Sequence, residues 1–222
     1  DRPRFFSELF YVLLCGAGAG FSVQQHHVDK LPNVQERKKQ AKGWTVEDSV
    51  EGWADALGAL LSSYFVGGGQ FPEMEGRKIY FDLNNVRPKG AMISGGFKAP
   101  GPEPLRKALD KIEHLIQSRV LNGHERLRPI DVYDIAMHAA DAVLAGGVRR
   151  SATICLFSAE DQEMVSAKTG NWFIDNPQRG RSNNSAVIVR SEITREQFKS
   201  IMSSIKEFGE PGFYFVEDRD FT

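Results

Sequence analysis

The sequence predicts an α/β fold, because amphipathic helical segments alternate with short apolar strands along the whole chain. Its 222 residues are 41% hydrophobic and 26% charged, which is enough for one sizeable core or two domains. The formal net charge is −1, so no overall field favours a nucleic acid or an anionic membrane as a partner. The longest apolar run is far too short to span a bilayer, and no cleavable signal is visible. We therefore expect a cytoplasmic protein that has no membrane partner.

The first quarter of the chain combines a buried helix with a polar segment. Apolar residues recur at helical spacing in RFFSELFYVLL (4–14), and FSVQ (21–24) is typical of a short strand. The basic run QERKKQAK (35–42) is expected to be a solvated surface loop. The next helix is predicted over 45–65, with Thr45 as its cap.

The middle of the chain continues the alternation. KIYFDL (78–83) predicts a strand, and residues 84–104 form a long loop rich in glycine and proline. Helices are predicted over 104–121 and 128–147, the first with prolines near its start and the second ended by two glycines. SATICLF (151–157) then predicts a strand.

The last part repeats the pattern with shorter elements. A short helix is expected in 159–168 and a polar loop in 171–184. The sequence then predicts a strand (185–189), a helix (194–208) and a final strand, GFYFVE (212–217).

The run GAGAGF (16–21) raises the question of a dinucleotide site. Such a site needs a strand, then the glycine turn, then a helix whose N-terminus meets the phosphates. Here the order is helix, glycines, strand, so a loop in which backbone approaches backbone or a ligand closely fits better.

The segment AGGVRRSA (145–152) joins a predicted helix to a predicted strand. Gly146 and Gly147 permit several loop conformations, and Arg149 and Arg150 carry forked donors suited to phosphate oxygens or base edges. A glycine cap followed by two solvated arginines is the alternative, and chemistry alone favours it slightly.

Two other loops contain groups that could bind a nucleotide. SGGFKAPGPEP (94–104) is suited to an anion, with Lys98 beside the glycines and a helix N-terminus following, although a rigid connector has the same composition. NPQRGRSNNS (176–185) contains Arg179, Arg181 and amide and hydroxyl groups that could bind ribose or base edges. The same residues are the usual content of a polar turn.

The remaining polar residues do not indicate a catalytic or metal site. The five histidines lack metal-ligand spacing, and Cys15 and Cys155 have no histidine at a telling distance, so inert packing is expected for both. Asp131, Asp134 and Asp141 form no obvious pair and are expected on the wet face of their helix.

The order of these motifs resembles the adenosylcobalamin-dependent (class II) ribonucleotide reductases, and among them the monomeric ribonucleoside-triphosphate reductases. The resemblance covers nearly the whole chain and depends most on GGVRRSA followed by NNSAV, with CGAGAGFSVQ, EGWADAL and FGEPGFYFVE in support. It implies that residues 1–222 are part of a ten-stranded α/β barrel, namely its N-terminal half-barrel portion.

The resemblance also implies roles for the loops. Segment 145–152 corresponds to the second specificity loop, which lies between an allosteric deoxynucleotide and the substrate base, and segment 94–104 to the first, which embraces the effector. The implied effector-binding residues are Ser94, Gly95, Gly96, Lys98, Gly146, Gly147, Val148, Arg149 and Arg150. The implied residues bordering the substrate pocket are Ser182, Asn183, Asn184 and Ser185.

Residues 26–80 resemble an insertion that replaces the dimer partner's effector-binding surface, which implies a monomer. The implied partners are a ribonucleoside triphosphate substrate, a dNTP effector, a thioredoxin-type reductant and the C-terminal remainder of the reductase. Most contacts to the cofactor, adenosylcobalamin, are expected outside this chain, and no metal site is expected in it.

The family's active-site cysteine motif of the type NPC-G-E is not found here, and neither Cys15 nor Cys155 matches a catalytic cysteine. We therefore expect a fragment that stops before that motif and is inactive alone. Two alternatives stay open. One is a non-catalytic deoxynucleotide-binding regulatory module. The other is a nucleic-acid-binding domain using Arg149, Arg150, Arg179 and Arg181, against which the near-zero net charge counts.

Overall fold

The computed structural model describes residues 2–93, 96–144 and 152–218 of the chain. Its helices are α1 (Phe5–Leu14), α2 (Gln25–Val28), α3 (Val50–Tyr64), α4 (Glu103–Leu121), α5 (Pro129–Leu144), α6 (Gln162–Val165), α7 (Trp172–Asp175) and α8 (Arg195–Phe208). Its strands are β1 (Ala19–Ser22), β2 (Lys39–Thr45), β3 (Arg77–Asp82), β4 (Met92–Ile93), β5 (Phe97–Lys98), β6 (Thr153–Ser158), β7 (Ser182–Val189) and β8 (Gly212–Val216). The predicted α/β class is confirmed.

The main sheet has four parallel strands in the order β1-β6-β7-β8. Its registers pair Ala19 with Thr153, Thr153 with Ser182, and Ser185 with Gly212. The amino-terminal ends of all four strands therefore lie side by side at one end of the sheet. Strand β6, the first strand after α5, and strand β7 both start there.

The core lies between one face of this sheet and four helices, α1, α3, α4 and α5. Cys155, Phe157, Ala186 and Ile188 supply the sheet face and are all but fully buried. Helix α5 is central, since every residue from Pro129 to Val143 except Asp141 is buried. A helix buried on all sides is positioned by packing rather than by propensity.

The sheet is open within the described ranges, as expected for part of a barrel. Residues on its other face are less well covered, with Ile154 and Tyr214 among the exposed large apolar side chains. Phe215, on the strand at one edge, is also half-exposed. An open edge and a partly bare apolar face are surfaces that further strands would cover.

Two small sheets lie outside the main one. Strands β2 and β3 pair in parallel, and β4 and β5 form an antiparallel hairpin in which Met92 faces Lys98. The predicted loop at 35–42 is therefore wrong from Lys39 onward. The long loop predicted for 84–104 likewise contains this hairpin.

Helix α3 begins later than predicted. Thr45 is the last residue of β2, and the cap is Ser49, whose hydroxyl accepts the Gly52 N–H at 2.9 Å. The polar loop predicted for 171–184 contains α7 and a 3-10 turn at Pro177–Arg181, and β7 begins three residues before the predicted strand.

Candidate functional site

A cavity of about 460 Å³ opens where the ends of four elements meet. Its walls come from the end of α1, the start of α3, the β4–β5 hairpin and the end of α5, and we call it the loop cavity. Its lining residues are Leu14, Asp48, Ser49, Val50, Trp53, Val86, Arg87, Ile93, Phe97, Ala99, Pro100, Gly101, Ala142 and Val143. The volume is within the range of small-molecule sites.

The loop cavity has one charged pair in its wall. Arg87 Nε donates to Asp48 Oδ2 at 2.6 Å, and both side chains stay partly exposed. Asp48 directly precedes the cap of α3, in a turn that is tight enough for a Cβ on Gly52 to lie 2.4 Å from the carbonyl oxygen of Glu47. A guanidinium, a carboxylate and the positive end of a fifteen-residue helix are thus grouped at one place.

The cavity lining also contains aromatic side chains. Trp53 is nearly buried, whereas Phe97 is 50% exposed on the hairpin. Aromatic side chains of this kind suit a flat ring, and an adjoining charged wall suits the polar part of the same ligand.

The first predicted specificity loop lies at this cavity. Gly96 has a left-handed backbone with φ +79°, and Lys98 is exposed on β5. Ser94 and Gly95 lie outside the described residues. Their chain neighbours on both sides, Ile93 and the hairpin strand that begins at Phe97, line the cavity or border it.

The end of the helix that precedes the second predicted loop also lines the cavity. Gly146, Gly147, Val148, Arg149 and Arg150 all lie outside the described residues, so their predicted role stays a prediction. Before this segment, Ala142 and Val143 line the cavity. After it, the Ala152 carbonyl accepts the Ala19 N–H at 2.9 Å.

The glycines between α1 and β1 approach this second flank. A Cβ on Gly18 would lie 3.5 Å from the Ala152 carbonyl oxygen, and one on Gly20 would lie 3.2 Å from Ile154 Cγ2. The order helix, glycines, strand agrees with the sequence analysis. The contact at Gly18 is an ordinary van der Waals distance and that at Gly20 is to a side chain, so the expected close approach of backbone to backbone or ligand stays a prediction.

The predicted substrate residues are divided between the two faces of β7. Ser182 and Asn184 are buried on the α5 side, where the Ser182 hydroxyl donates to Asn184 Oδ1 at 2.8 Å. Asn183 and Ser185 alternate onto the opposite, open face. Two of the four are therefore committed to internal bonds, and Asn183 is exposed.

A buried lysine ties the starts of β7 and β8 together. Lys168 Nζ donates to Glu210 Oε1 at 2.8 Å and also to the backbone carbonyl of Ser182. The other Glu210 oxygen accepts the Asn184 N–H at 3.1 Å. The charges of Lys168 and Glu210 are therefore paired with each other, and the bonds of the two side chains hold the starts of β7 and β8 together.

The arginines of 176–185 have internal partners. Arg179 forms two bonds to Asp134, Nε to Oδ1 at 2.8 Å and Nη2 to Oδ2 at 2.7 Å, and Arg181 Nε donates to Asp141 Oδ1 at 2.7 Å. Burial alone would lower the pKa of Arg179, but the hydrogen bonds and charge of Asp134 outweigh it and raise that pKa. Arg179 is thus a structural residue, not an available ligand.

The carboxylates of α5 do not form a wet face. Asp131 and Asp134 are buried, and Asp131 is bonded to Arg128 at 2.9 Å and lies 3.2 Å from Arg119. The expectation of a solvated row is wrong because arginines from other elements cover it. Only Asp141 is partly exposed.

No group of three or more metal-ligating side chains occurs in the part of the chain that the structure describes. Cys155 is fully buried, and burial raises the pKa of its thiol, in keeping with inert packing, whereas Cys15 is exposed. Among the described helices, none is both long and apolar enough to cross a bilayer.

Comparison with solved structures and family profiles supports the resemblance that the sequence motifs indicate. The crystal structure of a B12-dependent (class II) ribonucleotide reductase superposes on 96% of this chain with a TM-score of 0.80 and 26% sequence identity. A family profile for the insertion domain of B12-dependent ribonucleotide reductases matches residues 18–116. The resemblance to class II reductases is therefore confirmed.

Curated relatives are similar to nearly the whole chain. The adenosylcobalamin-dependent ribonucleoside-triphosphate reductase of Lactobacillus gasseri is 30% identical over 96% of this chain. The enzyme of the same name from Lactobacillus delbrueckii subsp. bulgaricus is 31% identical over 93% of it. The chain spans about a third of the length of each of these relatives and of the solved structure, at 32%, 31% and 32%.

Proposed function

We propose that this chain is the effector-sensing part of a reductase that converts ribonucleoside triphosphates to deoxyribonucleotides with adenosylcobalamin. The observation that carries the proposal is the loop cavity, because residues of the first predicted specificity loop and the helix residues just before the second line it. The relatives that match nearly the whole chain bear the name of this activity. The deoxynucleotide effector is the proposed occupant of the cavity.

The chemistry of the cavity suits a dNTP. The Arg87 guanidinium and the start of α3 offer positive charge to phosphates, and the Asp48 carboxylate can accept a bond from a sugar hydroxyl. Trp53 and Phe97 offer faces to a base. A single chain provides all these groups, which supports the proposal that residues 26–80, which contain the whole of α3, replace a dimer partner's surface in a monomer.

The second loop then connects the two proposed sites. One of its flanks lines the cavity, and the strand that follows it is bonded to the substrate side, where Thr153 Oγ1 donates to the Arg181 carbonyl at 2.5 Å. Arg181 directly precedes Ser182, the first of the predicted substrate residues. Effector binding at the cavity can thus alter the proposed binding site of the substrate base through residues 145–152.

Adenosylcobalamin does not fit the cavities of the described residues. A corrin ring with its nucleotide tail and adenosyl group is several times larger than a nucleotide, whereas the loop cavity is about 460 Å³. We therefore assign no step through the cofactor to these residues. The thioredoxin-type reductant and a cytoplasmic location belong to the proposal for the complete protein, whose remaining two thirds would hold the cofactor and supply the reactive cysteines.

Binding of deoxynucleotides tests the proposal directly. Isothermal titration of the protein with each of the four dNTPs is expected to show selective binding that Arg87→Ala weakens at least tenfold and Arg149→Ala also weakens. Arg190→Ala is the control, since Arg190 is exposed, pairs with Glu217 and is not among the residues that line the cavity. Equal binding by the wild type and Arg87→Ala would contradict the proposed site.

The same titrations separate the alternatives. Steeply salt-dependent binding of single-stranded DNA with no preference among dNTPs would favour the nucleic-acid-binding domain. The internal pairing of Arg179 and Arg181 already counts against that function. Selective dNTP binding without ribonucleotide reduction by the complete protein, in the presence of adenosylcobalamin and a dithiol, would favour the non-catalytic regulatory module.

A further inference from the structure

Helix α5 contacts both proposed sites through different parts of its length. Its last turn, with Ala142 and Val143, lines the loop cavity. In its first half, the consecutive residues Tyr133 and Asp134 form hydrogen bonds to the segment that leads into β7. We call these two residues, together with Asp141 and the segment 178–182 that they hold, the α5 clamp.

We propose that α5 is a second coupling element between effector and substrate, with Tyr133 and Asp134 as the positioning residues that set where β7 begins. The proposal rests on the proposed function, since it takes the loop cavity as the effector site and the start of β7 as a wall of the substrate pocket. It adds a route that does not pass through residues 145–151.

The clamp is built from directional bonds. The Tyr133 hydroxyl lies 3.0 Å from Ser182 Oγ and 3.1 Å from the Arg179 carbonyl oxygen. Asp134 holds the Arg179 guanidinium with both oxygens and also accepts from Gln178 Nε2 at 3.2 Å. These bonds fix both the backbone and the side chains just before β7, so the segment must follow α5.

Burial makes the clamp rigid. Tyr133 is fully buried, and burial raises the pKa of its phenol above the ordinary value, so the hydroxyl stays protonated and able to donate. Ser182 is buried too, and its hydroxyl donates in turn to Asn184 Oδ1. A polar network inside a core has few alternative arrangements, and a shift of one member is transmitted to the others.

The helix between the two contacts is stiff. Tyr133 and Val143 are separated by about 15 Å along the axis at the α-helical rise. The sequence from Ile130 to Leu144 has no glycine or proline, and packing surrounds it. Packed helices shift as bodies, so a ligand that displaces the last turn of α5 also displaces the clamp.

Linkage gives a test that uses binding alone. If effector and substrate sites are coupled, a saturating ribonucleoside triphosphate changes the Kd of the cognate dNTP by some factor, and the dNTP changes the Kd of the substrate by the same factor. We would measure this factor by titration in the complete reductase without cofactor, in the wild type and in Tyr133→Phe. The variant removes one hydroxyl and keeps the ring.

Tyr64→Phe is the matched control. Tyr64 is also buried, and its hydroxyl lies 3.4 Å from the Glu113 carbonyl oxygen, away from β7. We expect Tyr133→Phe to keep the dNTP Kd within twofold of the wild type while its coupling factor falls at least threefold. Tyr64→Phe is expected to keep both.

The outcomes are distinct. A coupling factor in Tyr133→Phe within twofold of the wild type would overturn the proposal, even if its melting temperature drops, because that result describes a purely structural tyrosine. Absence of dNTP binding in the wild type would overturn the proposed function itself, and this inference with it. Ser182→Ala supplies a second variant, and the double variant should show the same coupling factor as Tyr133→Phe alone if both act through one bond.

Discussion

The ion pair between Asp134 and Arg179 offers the sharpest test of how this part of the structure is held together. The change is Asp134→Asn, which keeps the shape of the side chain and removes its charge. Arg179 then stays in place with its side chain only 14% exposed, and it cannot deprotonate. Its charge would be buried without a counter-charge.

A second ion pair, between Asp141 and Arg181, supplies a control for this variant. Asp141 and Arg181 also form an ion pair at 2.7 Å from the same helix to the same segment, through one bond rather than two, and their side chains are 41% and 40% exposed. Removing one partner of a buried pair costs about 3 to 5 kcal/mol. An exposed pair contributes about 0 to 1 kcal/mol, so Asp141→Asn should cost at least about 2 kcal/mol less than Asp134→Asn.

Hydrogen–deuterium exchange of the peptide that covers β7 measures how much each variant lowers the local stability of this strand. A loss of about 3 kcal/mol raises the opening equilibrium by roughly a hundredfold, which Asp134→Asn should show and Asp141→Asn should not. Added salt should reduce the small effect at Asp141 and leave the effect at Asp134. Equal protection losses in the two variants would refute the reasoning that burial, rather than bond length, decides the energy.

Two further predictions concern stability. Burial lowers the pKa of His138 from 6.5 to about 4, so the fold keeps the neutral ring and should lose about 2 kcal/mol as pH falls from 7 to 5. Urea unfolding at both pH values should show this loss disappear in His138→Gln and persist in His114→Gln, the exposed control. Gly52→Ala places a Cβ 2.4 Å from the Glu47 carbonyl oxygen and should cost about 1 to 3 kcal/mol by thermal unfolding, whereas Gly43→Ala, with no atom within 4 Å, should cost under about 1 kcal/mol.

The sequence predicted those elements whose apolar residues repeat with a clear period. Helix α1 and helix α4 were located to within one or two residues, because their buried side chains recur at helical spacing. Strand β2 was missed because six of its seven residues are exposed, which leaves no alternation to read. Its partner β3 lies more than thirty residues away, so pairing rather than pattern defines it.

The start of α3 was misplaced for a related reason. Thr45 and Ser49 are both acceptable caps, and either could begin the helix. Pairing with β3 extends the backbone through Thr45, and the Val46 N–H continues to the Asp82 carbonyl oxygen. Only Ser49 is then left to cap, and this shift brings Asp48 into the cavity wall rather than into the helix.

The motifs predicted part of the candidate site but not the ion pair in its wall. The hairpin segment singled out from the sequence lines the loop cavity, whereas the role of the glycines and arginines of 145–152 stays a prediction. Arg87 was not singled out, because its role depends on Asp48, 39 positions earlier in the chain. Long-range pairs of this kind give no signal in a single sequence, since each member alone resembles a solvated surface residue.

The acidic residues of α5 show that a row of charges on one helix face can be buried rather than exposed to solvent. Asp131, Asp134, His138 and Asp141 recur at i, i+3, i+7 and i+10, which places them on one face of the helix. A face with this composition is usually solvated, but here arginines from elsewhere neutralise each carboxylate, and burial keeps the histidine neutral. Asp134 and Asp141 attach the segment before β7 to the helix, whereas Asp131 pairs with Arg119 and Arg128. Because the buried Asp134 is costly to leave unpaired, its pairing with Arg179 has to be retained when α5 shifts, and under our proposal this requirement lets the helix carry a displacement from the cavity to the strand.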